Sequence, residues 1–189
     1  MSFQESNTRK PDISLSLRTV ADDLVADVRL SLGDSEQLSL KTRRKEQLNW
    51  NPVELIAKEM LDDQNKPGRS LDLESLTIWL AEKAEQQYVR IDPLKIDSIV
   101  VTRIMSYEFA QRHQILALDV KEDEVVIASA QPYLHAWEET IEQSLSGKIL
   151  PRVIANPADI RRCTTEFYTM ARSVNKANAS GLNASSLSN

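Results

Sequence analysis

The chain has 189 residues, with 23 Lys and Arg against 28 Asp and Glu for a formal net charge of −5; no basic stripe runs through it, so it lacks the electrostatic footprint of a nucleic-acid binder. Its 41% hydrophobic content supplies core for one ordinary domain or two small ones, and no apolar run nears the roughly 18–20 residues of a membrane span. The polar start Met1-Ser-Phe-Gln-Glu-Ser-Asn7 has no apolar signal core, and the single cysteine, Cys163, cannot close an internal disulfide, so the expected setting is cytoplasmic.

In chain order, residues 1–14 are polar with Pro11 and read as a disordered N-terminus. From Ser16 the pattern is helical, with Val20, Leu24 and Val28 four apart on one face. Gly33-Asp34 reads as a break, with Asp34 capping a second helix to about Leu48. The middle of that helix, Lys41-Thr-Arg-Arg-Lys45, is a basic cluster in an acidic region: either a solvated helix face or a contact for an acidic partner or anionic lipid headgroups. Asn51-Pro52 is a capped helix start, and Val53, Ile56, Ala57, Met60 and Leu61 behind it follow the spacing of a buried stripe. Pro67-Gly68 ends that helix. Asp72 caps a fourth, whose inner face is Leu73, Leu76, Leu80 and Ala84 beside Trp79. Residues 15–87 thus read as a helical subdomain, its last helix leaning on the sheet-forming stretch that begins at Tyr88.

The stretch 88–172 changes period. Tyr88-Val-Arg-Ile91, Ile115 to Val120, Val125 to Ala130 and Ile149 to Ala155 are β-like runs. Helical patterns lie between them, around Ile96–Ile104, in Ser106–His113 and from Pro132 to Gly147, and Asn156-Pro157 starts a last helix. Strands alternating with helices predict an α+β fold: the helical subdomain followed by a small three- to four-stranded sheet packed with helices. From Ser173 to Asn189 the chain is mostly Ser, Asn and Ala, the composition of a flexible linker, and its two Asn-Ala-Ser triplets read as chance matches to a glycosylation acceptor.

Residues for chemistry are scarce. The four glycines, at 33, 68, 147 and 181, do not cluster, and Pro67-Gly68-Arg69-Ser70 lacks the upstream glycine and the lysine of a phosphate-cradling loop. His113 and His135 have no His or Cys at metal-ligand spacing. His113 ends a helix, where an imidazolium would favour the dipole; His135 reads as solvated in the first turn of the Pro132 helix. Cys163 has no base beside it and reads as an inert thiol. Glu122, Asp123 and Glu124 read as a wet hairpin turn. No catalytic residue, metal site or cofactor site is expected.

Five pieces in order carry a resemblance: Tyr88-Val-x-Ile-Asp-Pro-Leu-x-Ile96, Phe109-Ala-x-Arg-His-x-Ile-Leu-x-Leu118, Val125-Val-Ile-Ala-x-Ala-x-Pro132, Ala155-Asn-Pro-x-x-Ile160 and Phe167-Tyr168. Over about residues 70–172 the chain resembles the N-terminal domain of the secretion ATPases, the general secretion pathway protein E of type II secretion and its type IV pilus assembly relatives. The resemblance implies a non-catalytic domain that docks the motor on the cytoplasmic domain of an inner-membrane platform protein, secretion pathway protein L, peripheral to the inner membrane through that partner. It also implies a downstream ATPase domain, reached through the linker, that would hold ATP and Mg and bring a hexamer. The candidate contacts are Arg103, Glu108 and Arg112, with Lys41, Arg43, Arg44 and Lys45 second; Phe109 and Ala110 read as core. The alternative is a cyclic di-GMP sensor, which some relatives build from Arg-Leu-Gly-x-x-Leu-Leu-x-x-Gly-Leu-Leu. With Leu24-Val25 on its apolar pair, Thr19 stands in place of the arginine, and Ala21 and Val28 in place of the two glycines.

Overall fold

The computed structural model describes residues 12–185, with side chains as far as Ala179; the rest of the expected disordered stretch, 1–11, lies outside the described residues. Four strands, β1 (Gln87–Tyr88), β2 (Ile115–Val120), β3 (Val125–Ser129) and β4 (Arg152–Ile154), form one sheet in the order β1-β4-β3-β2. β2 and β3 make an antiparallel hairpin, and β3–β4 and β4–β1 pair in parallel. Parallel neighbours need a crossover; helix α7 (Glu138–Ser144) supplies it between β3 and β4. Ile115–Ala117 and Ile127–Ser129 are buried at consecutive positions, because helices cover a strand that would otherwise alternate. Their core includes Val125, Val153, Trp137 and, from the long helix α8 (Pro157–Ser185), Ile160, Cys163 and Phe167. The architecture is α+β, as the sequence pattern predicts.

The helical subdomain contains α1 (Leu17–Ala26), α2 (Leu32–Leu40), α3 (Pro52–Lys58) and α4 (Leu73–Lys83). A second core of Val20, Leu24, Leu38, Val53, Ile56, Leu71, Leu76 and Leu80 holds them. Asn51 caps α3 as expected, its side chain accepting from Val53 N (3.1 Å) while Glu54 accepts from Asn51 N (3.0 Å). Asp72 caps α4, accepting from Ser75 N at 2.8 Å, and α4 packs on β1 and β4.

Several boundaries differ from the expectation. α1 ends in a Schellman turn: Val28 N donates to Val25 O (3.0 Å) and Arg29 N to Leu24 O (2.8 Å), with Val28 at φ 55. Val28 is therefore 67% exposed rather than on the inner face. Gly33 does not break a helix. It lies in the first turn of α2, which Ser31 caps by accepting from Asp34 N (3.1 Å). α2 stops at Leu40, so Lys41–Lys45 is an extended strap that ends in a single 3₁₀ turn, Lys45–Gln47. Met60, at φ 51, ends α3 with its side chain exposed. The Pro132 pattern becomes helical only at Glu138, because 131–136 is held as a loop by residues 12–15: Ile13 N donates to Tyr133 O (3.1 Å), Leu15 N to Gln131 Oε1 (3.0 Å), and Asp12 accepts from Ala136 N (3.2 Å). Residues 12–14, expected to be disordered, are thus bound to the sheet unit.

The two cores share no residue, and polar bonds cross the seam between them. Asn51 Nδ2 donates to Ala130 O (2.7 Å), Gln86 Nε2 to Pro132 O (3.0 Å) and Gln114 Nε2 to Asn49 O (3.0 Å). α8 continues through Ser185, so residues 173–185, expected as flexible coil, are helical. No proline interrupts them, and a helix already nucleated extends one hydrogen bond per residue without a new nucleus.

Candidate functional site

α6 (Tyr107–His113) starts where Ser106 Oγ accepts from Phe109 N (3.1 Å) and stops at Gln114, whose φ of 51 turns the chain into β2. This short helix, the start of α8 and the chain from Glu46 to Trp50 enclose an open cleft of about 680 Å³. Trp50 stands on the wall from the helical unit. Lys58 Nζ lies 5.2 Å from its ring centroid and the Arg161 guanidinium 5.7 Å, a pair of cation–π contacts that orient the indole. Arg161 reaches across the seam to Glu54, donating from Nη2 to Oε1 (2.7 Å) and from Nη1 to Oε2 (3.1 Å). Glu54 is 5% exposed along its side chain and Arg161 49%, so the guanidinium keeps a face open to the cleft while its hydrogen bonds to Glu54 raise its pKa further. Tyr107, which contributes to the lining, is tilted against Tyr168 at 5.6 Å with Arg172 over it at 5.8 Å.

The expected contact residues separate into three places. Glu108 and Arg112 line this cleft, both exposed. Arg103 lies in a smaller groove of about 170 Å³ between α5 (Ser98–Val101) and α8. Lys41, Arg43 and Arg44 line a third groove of about 220 Å³ on the helical unit, and Lys45 begins the 3₁₀ turn beyond it. Trp50, Tyr107 and Arg161 are not legible as site residues from the sequence. Trp50 precedes the Asn51 cap, outside any periodic stripe, and Arg161 meets Glu54 from 107 positions away.

Both histidines and Tyr168 are engaged in contacts within the fold. Ala110 is buried as expected and Phe109 half-buried, packed 4.4 Å from the His113 ring. Burial, then the charge of Arg112, lowers the His113 pKa, so its imidazole favours the neutral form rather than the helix-terminal imidazolium expected. His135 is not simply solvated: its Nδ1 lies 2.6 Å from Arg152 Nη1 and 3.1 Å from Glu138 Oε1, a three-residue cluster, with Arg152 over the Trp137 ring at 5.1 Å. Cys163 is fully buried, and burial pushes its thiol up, away from the reactive thiolate. Burial likewise pushes Tyr168 up to about 12, its hydroxyl donating to Met105 O at 2.7 Å. Glu122 and Asp123 sit exposed in the β2–β3 turn. Among the described residues, no group of three or more His, Cys, Asp or Glu is placed to hold a metal.

The family model described as the MshEN domain matches residues 85–174. The type IV pilus assembly ATPase TfpB of Acinetobacter baylyi is 36% identical over 156 residues, which is 82% of this chain but 27% of that protein. The chain therefore spans about a quarter of the length of this relative. Among solved structures, MshE with cyclic di-GMP superposes with a TM-score of 0.52 at 20% identity, over 79% of this chain and 98% of that one; at that identity the likeness establishes the fold. The N-terminal domain of XpsE lies further off, with a TM-score of 0.46 at 12% identity over 81% of this chain and 96% of that one.

Proposed function

We propose that the chain, which shares the MshEN domain match over residues 85–174 and 36% identity with a type IV pilus assembly ATPase, is the N-terminal domain of a type II secretion or type IV pilus assembly ATPase and a non-catalytic docking module, joining a motor to the cytoplasmic domain of an inner-membrane platform protein such as secretion pathway protein L. One observation carries the reading: the cleft at the seam presents Trp50, Tyr107, Arg112 and Arg161 together. Tryptophan, tyrosine and arginine are the residues on which binding energy concentrates at interfaces, and here Trp50 and Arg161 are held in place by their own contacts before a partner arrives. In this reading ATP, Mg and hexamer assembly belong to a downstream motor domain. Among the described residues no helix is long and apolar enough to cross a membrane, so attachment to the inner membrane would run through the partner.

Pull-down of the chain by the immobilised cytoplasmic domain of the platform protein, at micromolar concentration, tests this. Trp50→Ala and Arg112→Glu should each weaken capture about tenfold or more, roughly the 1.4 kcal/mol that a hot-spot residue exceeds. Equal capture of both variants would remove the cleft from the interface. The rival reading, a cyclic di-GMP sensor, meets an obstacle at the motif positions: Ala21 is buried, and Val28 adopts a left-handed backbone that favours glycine but carries a side chain where close approach is needed. Calorimetry with cyclic di-GMP should give no binding heat, and ATP hydrolysis by these residues alone should be absent.

A further inference from the structure

The strap Lys41–Lys45 and the groove beside it are a second, separate feature. Lys41, Arg43, Arg44 and Lys58 rim a groove of about 220 Å³ that Leu17, Leu38 and Leu55 also line. Glu59 is the one carboxylate in that lining, and it is already ion-paired with Lys41. Among the described residues no carboxylate pairs with Arg43, Arg44 or Lys45, in a chain whose net charge is −5. The backbone at Lys41 (φ −77, ψ 129) and Arg44 (φ −71, ψ 155) is extended, so its cations are spread along a line rather than gathered at a point. Leu40 and Leu48 flank the strap, 84% and 60% exposed.

We infer that this groove takes an acidic peptide segment of a protein partner, its carboxylates along Arg43, Arg44 and Lys58 and one apolar side chain between Leu17, Leu38 and Leu55. Charge complementarity selects the acidic character, since two guanidinium groups without a counter-ion are matched by carboxylates in bidentate geometry. Concavity with leucines in the lining selects a peptide over a lipid surface. Leu38 and Leu55 are buried at the base of the groove and Leu17 is half-buried beside them, so a headgroup layer would meet only the rim, whereas a leucine or phenylalanine of an extended segment can enter the concavity. The inference rests on the docking reading only for where such a partner would come from; the groove is lined by different residues from the Trp50 cleft and is tested without the platform protein.

The probe is a fluorescein-labelled heptapeptide of six Glu and Asp residues around a central leucine, titrated with the 189-residue chain and followed by anisotropy. Saturable binding is expected, weakened at least tenfold by R43E/R44E, several-fold by leucine-to-serine replacement in the peptide, and several-fold at high salt, because these pairs are solvent-exposed. Lys66→Glu, at an exposed lysine in the 63–69 turn, should leave binding unchanged. The inference is overturned by no saturable binding, by equal binding to R43E/R44E, or by anionic phospholipid vesicles capturing the chain through the same two arginines while the peptide does not. Platform capture that survives R43E/R44E while the peptide is lost would leave the Trp50 cleft as the docking site and this groove as an independent one.

Discussion

The sheet unit and the helical unit are each closed around an apolar core, yet the bonds across their seam are largely polar, and the candidate docking cleft opens there. Burial stabilises each core at about 25 cal/mol per Å². Hydrogen bonds such as Asn51–Ala130 and Gln86–Pro132 add about 0.5–1.5 kcal/mol each. The hydrogen bonds across the seam are thus individually small beside the burial within each core, and the proposed docking cleft lies at that junction. The three tryptophans report on the difference separately: Trp79 lies in the helical core, Trp137 in the sheet core and Trp50 in the cleft.

The largest effect should come from the sheet core. Phe167, 4% exposed on α8, packs among the strands, and Phe167→Ala should cost about 3–5 kcal/mol, lowering Tm by on the order of 10 °C for a chain of this size. In urea unfolding the Trp137 signal should shift with it and the Trp79 signal much less; coincident shifts would show that the seam couples the units fully. Asn51→Ala attacks the seam itself. It removes a helix cap, about 1 kcal/mol, and leaves the Ala130 carbonyl without its Asn51 partner, about 1–3 kcal/mol, so about 2–4 kcal/mol is expected. Its signature is a wider separation of the Trp79 and Trp137 transitions.

The pH responses should also divide by unit. Burial opposes ionisation of Asp63 in the helical unit, but hydrogen bonds from Arg29 and from the Asn65 N–H outweigh it, so its folded pKa lies below the usual value. That contribution is present above the unfolded pKa of about 3.9 and is lost as pH falls through the lower folded value. Tyr168 in the sheet unit shows the opposite sign. Its folded pKa of about 12 exceeds the unfolded value of about 10, so its contribution holds below about pH 10 and is lost as pH rises towards 12. Acid titration should move Trp79 first and alkaline titration Trp137 first. Asp63→Asn and Tyr168→Phe should each flatten one limb only.

The central strands and the helix starts are the more legible features because their signals are local. Ile115 to Val120 and Val125 to Ala130 show continuous apolar runs, and Asn51-Pro52 and Asp72 announce helix starts through one side chain each. Helix ends are less legible, for a specific reason. Glycine is the residue that usually marks them, and here Val28, Met60, Glu85 and Gln114 take the positive φ instead, while Gly33 sits inside α2 with open space around its missing Cβ. Carrying α1 past Val28 then misplaces the start of α2 and the strap in turn. The cleft is half legible. Glu108 and Arg112 stand out as charges on an amphipathic helix, but Trp50, Arg161 and Glu54 meet only through tertiary packing, and composition hides the helix beyond Ser173.

The smallest predicted effect separates the cost of that unusual helix end from any benefit of its side chain. Val28 is β-branched at φ 55, a backbone region in which its Cβ crowds the following carbonyl at a cost of about 1–2 kcal/mol. It is 67% exposed, so burial returns little. Val28→Gly removes the crowding but frees the unfolded chain, an entropic cost of about 0.5–1 kcal/mol. The net expectation is a gain of about 0.5–1 kcal/mol, seen as a higher urea midpoint for Trp79 at unchanged slope and no shift for Trp137. A lower midpoint would mean that the valine makes contacts worth more than its strain, and the Schellman turn after α1 would then be held by the side chain rather than in spite of it.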